Sequence, residues 1–496
     1  MRNKICYILL FMICLGSVSS CKKFLDLAPE SSATTGNAYQ TAQDMEAALI
    51  GLYTTFYGEY FIWDDMLLGD VRSDNAYSGG DGADINQYDL LKISTVNTRV
   101  FANWQLLYNG ISKANLILEK IDGVKDPALD LNQRRAGIIA EAKFIRAYMY
   151  FELVKMYGPV PLVTKFGAVE PSQANVPRSS ENDVYAAILK DLQDALVLPD
   201  SYDNASLSTS RITKGAVNAM LARVSAQMPG RDYKQVLSYC DAVINSPAGY
   251  QLSSSYTSLF DGSNYVNKEV IFQIQFIENT PQANWGPQLV LPPSITKDDW
   301  RKYSTPSKDL VRAYDDEGDK IRKNANITFD NAAWADEYWK PCATSGQIPF
   351  VYKWKHASGW ASGDYICKIR LADILLLKAE ALNETGNGSE ALGIVNNQIR
   401  KRVNLPPVTA ATPSAIRDAI LKERRLELAF EGQRWYDLVR MNKLIDVMGN
   451  LKEYVLSCDG SAPVQVNYGI TAEKSLLPIP QSEINRNPQL TQNKGY

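Results

Sequence analysis

The chain of 496 residues carries a single histidine, His356. A Ser-His-Asp or Cys-His arrangement would have to use that one imidazole, and an HExxH zinc site has no second histidine to draw on. Carboxylate pairs of the kind a glycosidase needs are easy to find, such as Asp64/Asp70 or Asp315/Asp316. A chain with 55 acidic residues supplies such pairs by chance, so they carry no signal. Neither common phosphate-cradling glycine spacing occurs. Asp70 and Asp74 in the stretch DVRSDN alternate like calcium ligands, but Arg72 stands where an acid or amide is needed and the twelfth-position Glu is missing. That stretch reads as a charged turn. No catalytic residue, metal site or cofactor is expected.

Binding chemistry remains. Rings beside Asp, Asn and Arg, placed on loops over a rigid scaffold, make a ligand surface. Two regions offer this. One holds Asp70, Arg72, Asp74, Asn75, Tyr77 and Tyr88; the other holds Trp285, Trp300, Arg301 and Tyr303. Six of the nine tryptophans (285, 300, 334, 339, 354 and 360) fall within 248–360, the least regular part of the chain.

The elements around these residues begin with an export signal. Arg2 and Lys4 precede an uncharged run to Cys21, with small residues from Gly16 to Ser20. The apolar part is short for a membrane span. Cys21 sits where bacterial lipoproteins are cleaved and acylated, so 1–20 is read as signal peptide, Cys21 as the lipidation site and 21–36 as a lipidated tether. Val18 departs from the usual Leu of that motif. Loss of 1–20 removes two positive charges and no acid, taking the formal charge from −3 to −5. A mildly acidic body argues against a nucleic-acid partner. Cys240, Cys342, Cys367 and Cys458 remain, widely scattered, in no disulfide framework or zinc spacing.

Most of the rest is helical. Thr41 caps a helix whose Met45, Leu49, Leu52 and Phe56 share a face. Residues 64–100, full of Gly, Asp, Asn and Ser, read as a long loop, which in a compact protein is usually functional or disordered. Helices follow at Phe101–Ile121 and Gln133–Tyr157, the latter stopped by Gly158-Pro159. Ser180 starts another, and Thr213–Met228 and Asp232–Ile244 form a pair. Val270–Phe276 is strand-like. Helices return at Lys368–Glu384 and Ser389–Val403, and a last one runs from about Ser414 to Met441. Ala222 with Val236, Tyr239 and Val243, and Ala379 with Ala391, Val395 and Ile399, repeat a helix–turn–helix pattern of tetratricopeptide type.

Three stretches carry a family likeness: CKKFLDLAPES at the start; AEAKFIRAYMYFELVKMYGPVPL from Ala140 to Leu162, with VPRSSENDVYAAILKDLQDAL behind it; and ILKERRLELAFEGQRWYDLVR from Ile420 to Arg440, closed by LLPIPQSEINRNPQLTQNKGY. Together they resemble the SusD/RagB family of outer-membrane lipoproteins. The resemblance implies a mainly α fold, a tetratricopeptide-like helix-pair scaffold with a loop-rich insert containing minor β. The expected divisions are an N-terminal scaffold over 37–247 with a ligand-face loop over 64–100, a variable loop-rich region over 248–366, and a C-terminal scaffold and tail over 367–496. It also implies a non-catalytic surface lipoprotein on the outer membrane. Such a protein binds a glycan or a peptide and works with a SusC-type TonB-dependent transporter. A bare protein-binding scaffold without small-ligand affinity is the other reading. Binding residues vary within the family, so none is carried over. The charged 423–440 segment reads as structure, a salt-bridged helix with Leu426, Ala429, Phe430 and Trp435 buried.

Overall fold

The computed structural model describes residues 38–167, 175–342 and 346–496. The signal segment, Cys21 and the tether lie outside the described residues. With 54% helix and 8% strand, the fold is mainly α.

The scaffold helices are α1 (Ala42–Tyr53), α2 (Thr98–Lys120), α3 (Arg134–Tyr157), α4 (Glu181–Asp194), α5 (Lys214–Gln227), α6 (Tyr233–Ile244), α7 (Leu371–Glu384), α8 (Gly388–Ile394), α9 (Pro413–Glu427) and α10 (Arg434–Arg440). Local chemistry starts and stops them. Thr41 Oγ1 accepts from the Asp44 amide at 3.1 Å, and Asp44 accepts from the Thr41 amide at 3.0 Å, a reciprocal cap. Ser180, Thr213 and Asp232 cap α4, α5 and α6 through their side-chain oxygens. Gly158, at φ +68°, ends α3 in a conformation that a side chain resists.

Each helix packs mainly on those next to it in chain order: α2 on α3, α3 on α4, α5 on α6, α6 on α7, α7 on α8 and α9. Ala222, Val236, Ala379 and Ala391 have no exposed surface at these crossings, because small side chains let the helix axes approach. A continuous apolar core runs from Met45 to Leu490.

Among the described residues the strands form five two-stranded antiparallel ladders. In chain order they are β1 (Ala76–Tyr77), β2 (Val160–Pro161), β3 (Arg178–Ser179), β4 (Val270–Ile274), β5 (Thr305–Pro306), β6 (Ile327–Asn331), β7 (Gln347–Val351), β8 (Ile366–Arg370), β9 (Tyr454–Val455) and β10 (Val464–Gln465). β4 pairs with β8 at the foot of α7, and β1 pairs with β5, tying the loop-rich insert to the N-terminal half.

Three local expectations are corrected. Residues 64–100 are not one loop. Tyr60–Asp64 and Leu67–Val71 are π-helical turns, and Ala83–Asp89 is a short helix. Their polar residues are engaged inside the protein rather than solvated. The helix expected from Ser414 to Met441 is two, α9 and α10. Phe430 at φ +63° and Gly432 at φ +72° break it. A Cβ on Gly69 would lie 2.3 Å from the Gly432 backbone, and one on Gly432 would lie 2.9 Å from the Asp65 carbonyl, so the two segments pass this closely only with glycine at both positions. Residues 366–370 are strand, and α7 starts at Leu371.

Candidate functional site

The first candidate group proves internal. Asp70, Arg72, Asp74, Asn75, Tyr77 and Tyr88 are all buried, none more than 2% exposed. Asp70, Arg72, Asp74 and Asn75 clamp the N-terminal half to the α9–α10 region. Arg434 grips both Asp74 carboxylate oxygens at 2.8 Å, and Arg425 approaches the same carboxylate at 3.1 Å. Burial alone would raise Asp74, but the two guanidinium groups outweigh it and hold it at about 2. Asp70 accepts from the amides of Phe430 and Gly432, each at 3.0 Å, and from Asn75 at 2.7 Å. Its burial still lifts it to about 6. The Arg72 guanidinium lies 4.2 Å from the Trp435 ring centroid and donates to the Lys474 carbonyl at 3.0 Å. Tyr77 donates to Asp336 at 2.8 Å and its ring meets Tyr338. No ligand reaches these side chains in this conformation. They are therefore removed from the candidate surface, because all six are buried and Asp70, Asp74, Asn75 and Tyr77 already have partners within the protein.

The same logic fills the 423–440 segment. Glu427 binds Arg370 (2.6 Å), Arg322 (3.1 Å) and Arg402, and Arg424 bridges Asp373 and Asp437, each at 2.8 Å. The segment is structural, as read. Its main partners, however, come from distant elements rather than from the same helix face.

The second group gathers at the surface. Trp63, 2% exposed, forms the floor. Trp285 and Tyr303 meet it edge-on, with centroids at 6.3 and 5.8 Å. Trp300 leans on Tyr303 at 5.6 Å, and Trp360 lies parallel to Trp300 at 6.1 Å and 10°. Trp360 is 47% exposed.

Each ring has a local reason for its place. Trp285 heads the short turn Gly286–Val290, where the Gly286 amide donates to Asn284 Oδ1 at 2.9 Å. Asn284 and Ser362 exchange two backbone bonds, which bring the Trp285 loop beside the Trp360 loop. Ser358, Gly359 and Trp360 run successively left-handed at φ +47°, +59° and +75°. A bulky residue rarely adopts that backbone, and the strain turns the Trp360 indole outward. Buried Lys302 braces Trp300, with Nζ 4.0 Å from the ring centroid and further bonds to the Gln288 carbonyl and Thr296 hydroxyl. Beneath Trp63, Arg99 lies 4.6 Å from the ring centroid and pairs with Asp64 at 2.5 Å. Burial pushes Asp64 up to about 7 against the pull of Arg99.

Polar groups border the rings. Arg301 is exposed next to Trp300, and Asp81 approaches the Tyr303 hydroxyl at 3.5 Å. Exposed Glu278 holds the Ser358 hydroxyl. The glycines of the 79–82 turn let that turn lie against Tyr303: a Cβ on Gly80 would fall 2.5 Å from its ring.

The structure thus brings together Trp285, Trp300, Arg301 and Tyr303. Sequence reading missed Trp360, Trp63 and Asp81. Trp360 was among the tryptophans of the irregular region, and its Ser-Gly-Trp context was the available signal. His356 is exposed and bonds Asp364 at 2.8 Å, with Asp364 itself buried.

A family model described as SusD family matches residues 250–496, and one described as starch-binding associating with outer membrane matches 23–225. A SusD-like protein of Formosa agariphila is 28% identical over 98% of each chain. The starch-binding protein SusD of Bacteroides thetaiotaomicron is 24% identical over 78% of this chain and 76% of its own. A crystal structure of a SusD-like protein from Bacteroides fragilis superposes with TM-score 0.76 and 26% identity, covering 94% of this chain and 99% of that one. A laminarin-binding SusD-like protein superposes with TM-score 0.73 and 25% identity, over 92% and 100%. Matched along both halves by these two models, and superposing nearly end to end on such structures, the chain belongs to the SusD-like proteins.

Proposed function

We propose that this protein is a non-catalytic glycan-binding lipoprotein of the outer-membrane surface, which captures an oligosaccharide or polysaccharide on the Trp285–Trp300–Tyr303–Trp360 platform. In this reading it delivers the glycan to a SusC-type TonB-dependent transporter. Cys21 carries the acyl anchor. Among the described residues no helix is long and apolar enough to cross a membrane.

The observation that carries this reading is the ring geometry. Sugars present flat C–H faces, which aromatic faces cover, and hydroxyl rims, which carboxylates and guanidinium groups bind. Trp300 and Trp360 offer parallel faces, Asp81 lies at the Tyr303 hydroxyl, and exposed Arg301 follows Trp300 in sequence. The names of the laminarin-binding and starch-binding relatives support the same class of ligand.

The test is calorimetry of residues 22–496 against a panel of β-glucans, α-glucans, other plant and host glycans, and peptides. Saturable glycan binding without product release supports the proposal. Binding of peptides alone, or turnover of any glycan, overturns it.

A further inference from the structure

The segment after the helix Leu444–Asn450 forms a small hairpin. β9 pairs with β10, and Cys458 lies in the turn between them. This hairpin leans on the insert. The Leu456 amide donates to the Glu337 carbonyl at 2.8 Å. Just beyond, Asp336 and Lys340 exchange backbone bonds at 3.1 and 2.8 Å, and the tight turn brings Cys342 back to the hairpin. The Cys342 thiol donates to the Ser457 carbonyl at 3.7 Å. Cys458 is the next residue, and the Cys342 thiol beside it raises the Cys458 thiol above its usual range. Both cysteines are exposed. The other two differ: Cys240 is buried in α6, and burial pushes the Cys367 thiol in β8 up to about 12.

Two exposed thiols far apart in sequence, one of them seated on the residue next to the other, are the arrangement that oxidising compartments convert. We propose that Cys342 and Cys458 form a disulfide when the chain is exported, stapling the 454–465 hairpin to the insert. The proposal rests on the export reading above.

The oxidant is a thiol–disulfide oxidoreductase or a small-molecule disulfide. The Cys458 thiolate attacks one oxidant sulfur and releases the other as a thiolate, giving a mixed disulfide. The Cys342 thiolate then attacks the Cys458 sulfur and releases the second oxidant thiolate. The two cysteine protons end on the two oxidant sulfurs. The oxidant disulfide is reduced, and the protein gains one S–S bond.

The bond has a structural consequence. Tyr454, Leu456 and Pro463 of the hairpin form one wall of a cleft of about 460 Å³, with Tyr338 of the insert on another. The staple fixes these walls to each other.

The full chain is to be purified without reductant from the membranes of an exporting host, blocked with N-ethylmaleimide in denaturant, and mapped by peptide mass spectrometry. The expected result is a linked Cys342–Cys458 peptide pair, with maleimide on Cys240 and Cys367. In parallel, the reduced folded protein is treated with glutathione disulfide, which is expected to give the same linked pair. Maleimide on both Cys342 and Cys458 after glutathione disulfide overturns the pairing itself. Linkage with glutathione disulfide but not in the exported protein overturns oxidation during export. Cys342→Ser is expected to free Cys458 for labelling and to speed proteolysis within the hairpin several-fold.

Discussion

The indole of Trp300 lies within 10° of parallel to that of Trp360, with centroids 6.1 Å apart, although the two rings come from different loops. Parallel aromatic pairs favour separations of about 4.5–7 Å. Here one ring is braced by Lys302 and the other is held out by a left-handed turn. If the pair carries ligand, Trp360→Ala removes one face without disturbing the core, because that side chain is half-exposed. The expected loss is about 1–2 kcal/mol of glycan binding, a rise of roughly 5–30-fold in Kd by calorimetry. Trp300→Ala and Trp285→Ala should also weaken binding, with the protein still folded by circular dichroism. An unchanged Kd in all three removes this surface from the site.

Gly80 tests the same surface from behind. A methyl group there would lie 2.5 Å from the Tyr303 ring, closer than atoms pack, so the ring must shift. Gly80→Ala is therefore expected to weaken glycan binding several-fold while costing less than about 1 kcal/mol of stability, since the turn is near the surface. Equal losses of stability and affinity would show that the turn supports the fold instead.

Where sequence reading succeeded, the signal was local. Ala140, Phe144, Ala147, Tyr148, Phe151 and Val154 recur at helical spacing and are buried in α3. The density of tryptophan in an irregular stretch singled out Trp285 and Trp300, whose rings pack on Trp63 and Tyr303; their binding role is part of the proposal. Where it failed, the cause was distance along the chain. Asp70, Asp74 and Asn75 carry the composition of a solvated loop, but their partners Phe430, Gly432, Arg425 and Arg434 lie some 350 residues away. No local pattern shows that a charge will be neutralised by an element folded from the other end. Trp360 was missed for a related reason: its exposure comes from three left-handed residues, of which only Gly359 is of a type that announces such a turn.

Asp74 gives the stability prediction. Asn in its place leaves Arg434 buried without a counter-charge, and Arg425 keeps only Asp309 at 2.8 Å. Breaking a buried pair from one side costs about 3–5 kcal/mol. Asp74→Asn should lower the denaturant midpoint accordingly while glycan affinity of the folded fraction stays unchanged. Lost affinity in the folded fraction would return the Asp70–Tyr88 region to the binding surface.

The same carboxyl predicts acid behaviour. Asp74 is held at about 2 in the fold, whereas a free aspartate titrates near about 3.9. Between those values the unfolded chain binds a proton that the folded chain refuses. Its contribution, about 2–3 kcal/mol, is thus fully present above about pH 4 and lost as pH falls toward about 2. Glu427, with Arg402, Arg370 and Arg322 outweighing its burial, is also held low and loses stabilisation on the acid side. Asp70 acts with the opposite sign. Burial raises it to about 6, so its folded form prefers the proton and stability falls as pH rises from about 4 to about 6. Denaturant midpoints of the wild type and Asp74→Asn, compared across this range, isolate the first term. A protonated Asp74 resembles Asn, so the gap between the two proteins should narrow by about 2–3 kcal/mol between about pH 4 and about pH 2. A constant gap would mean that the guanidinium groups of Arg425 and Arg434 do not hold Asp74 ionised in the folded protein.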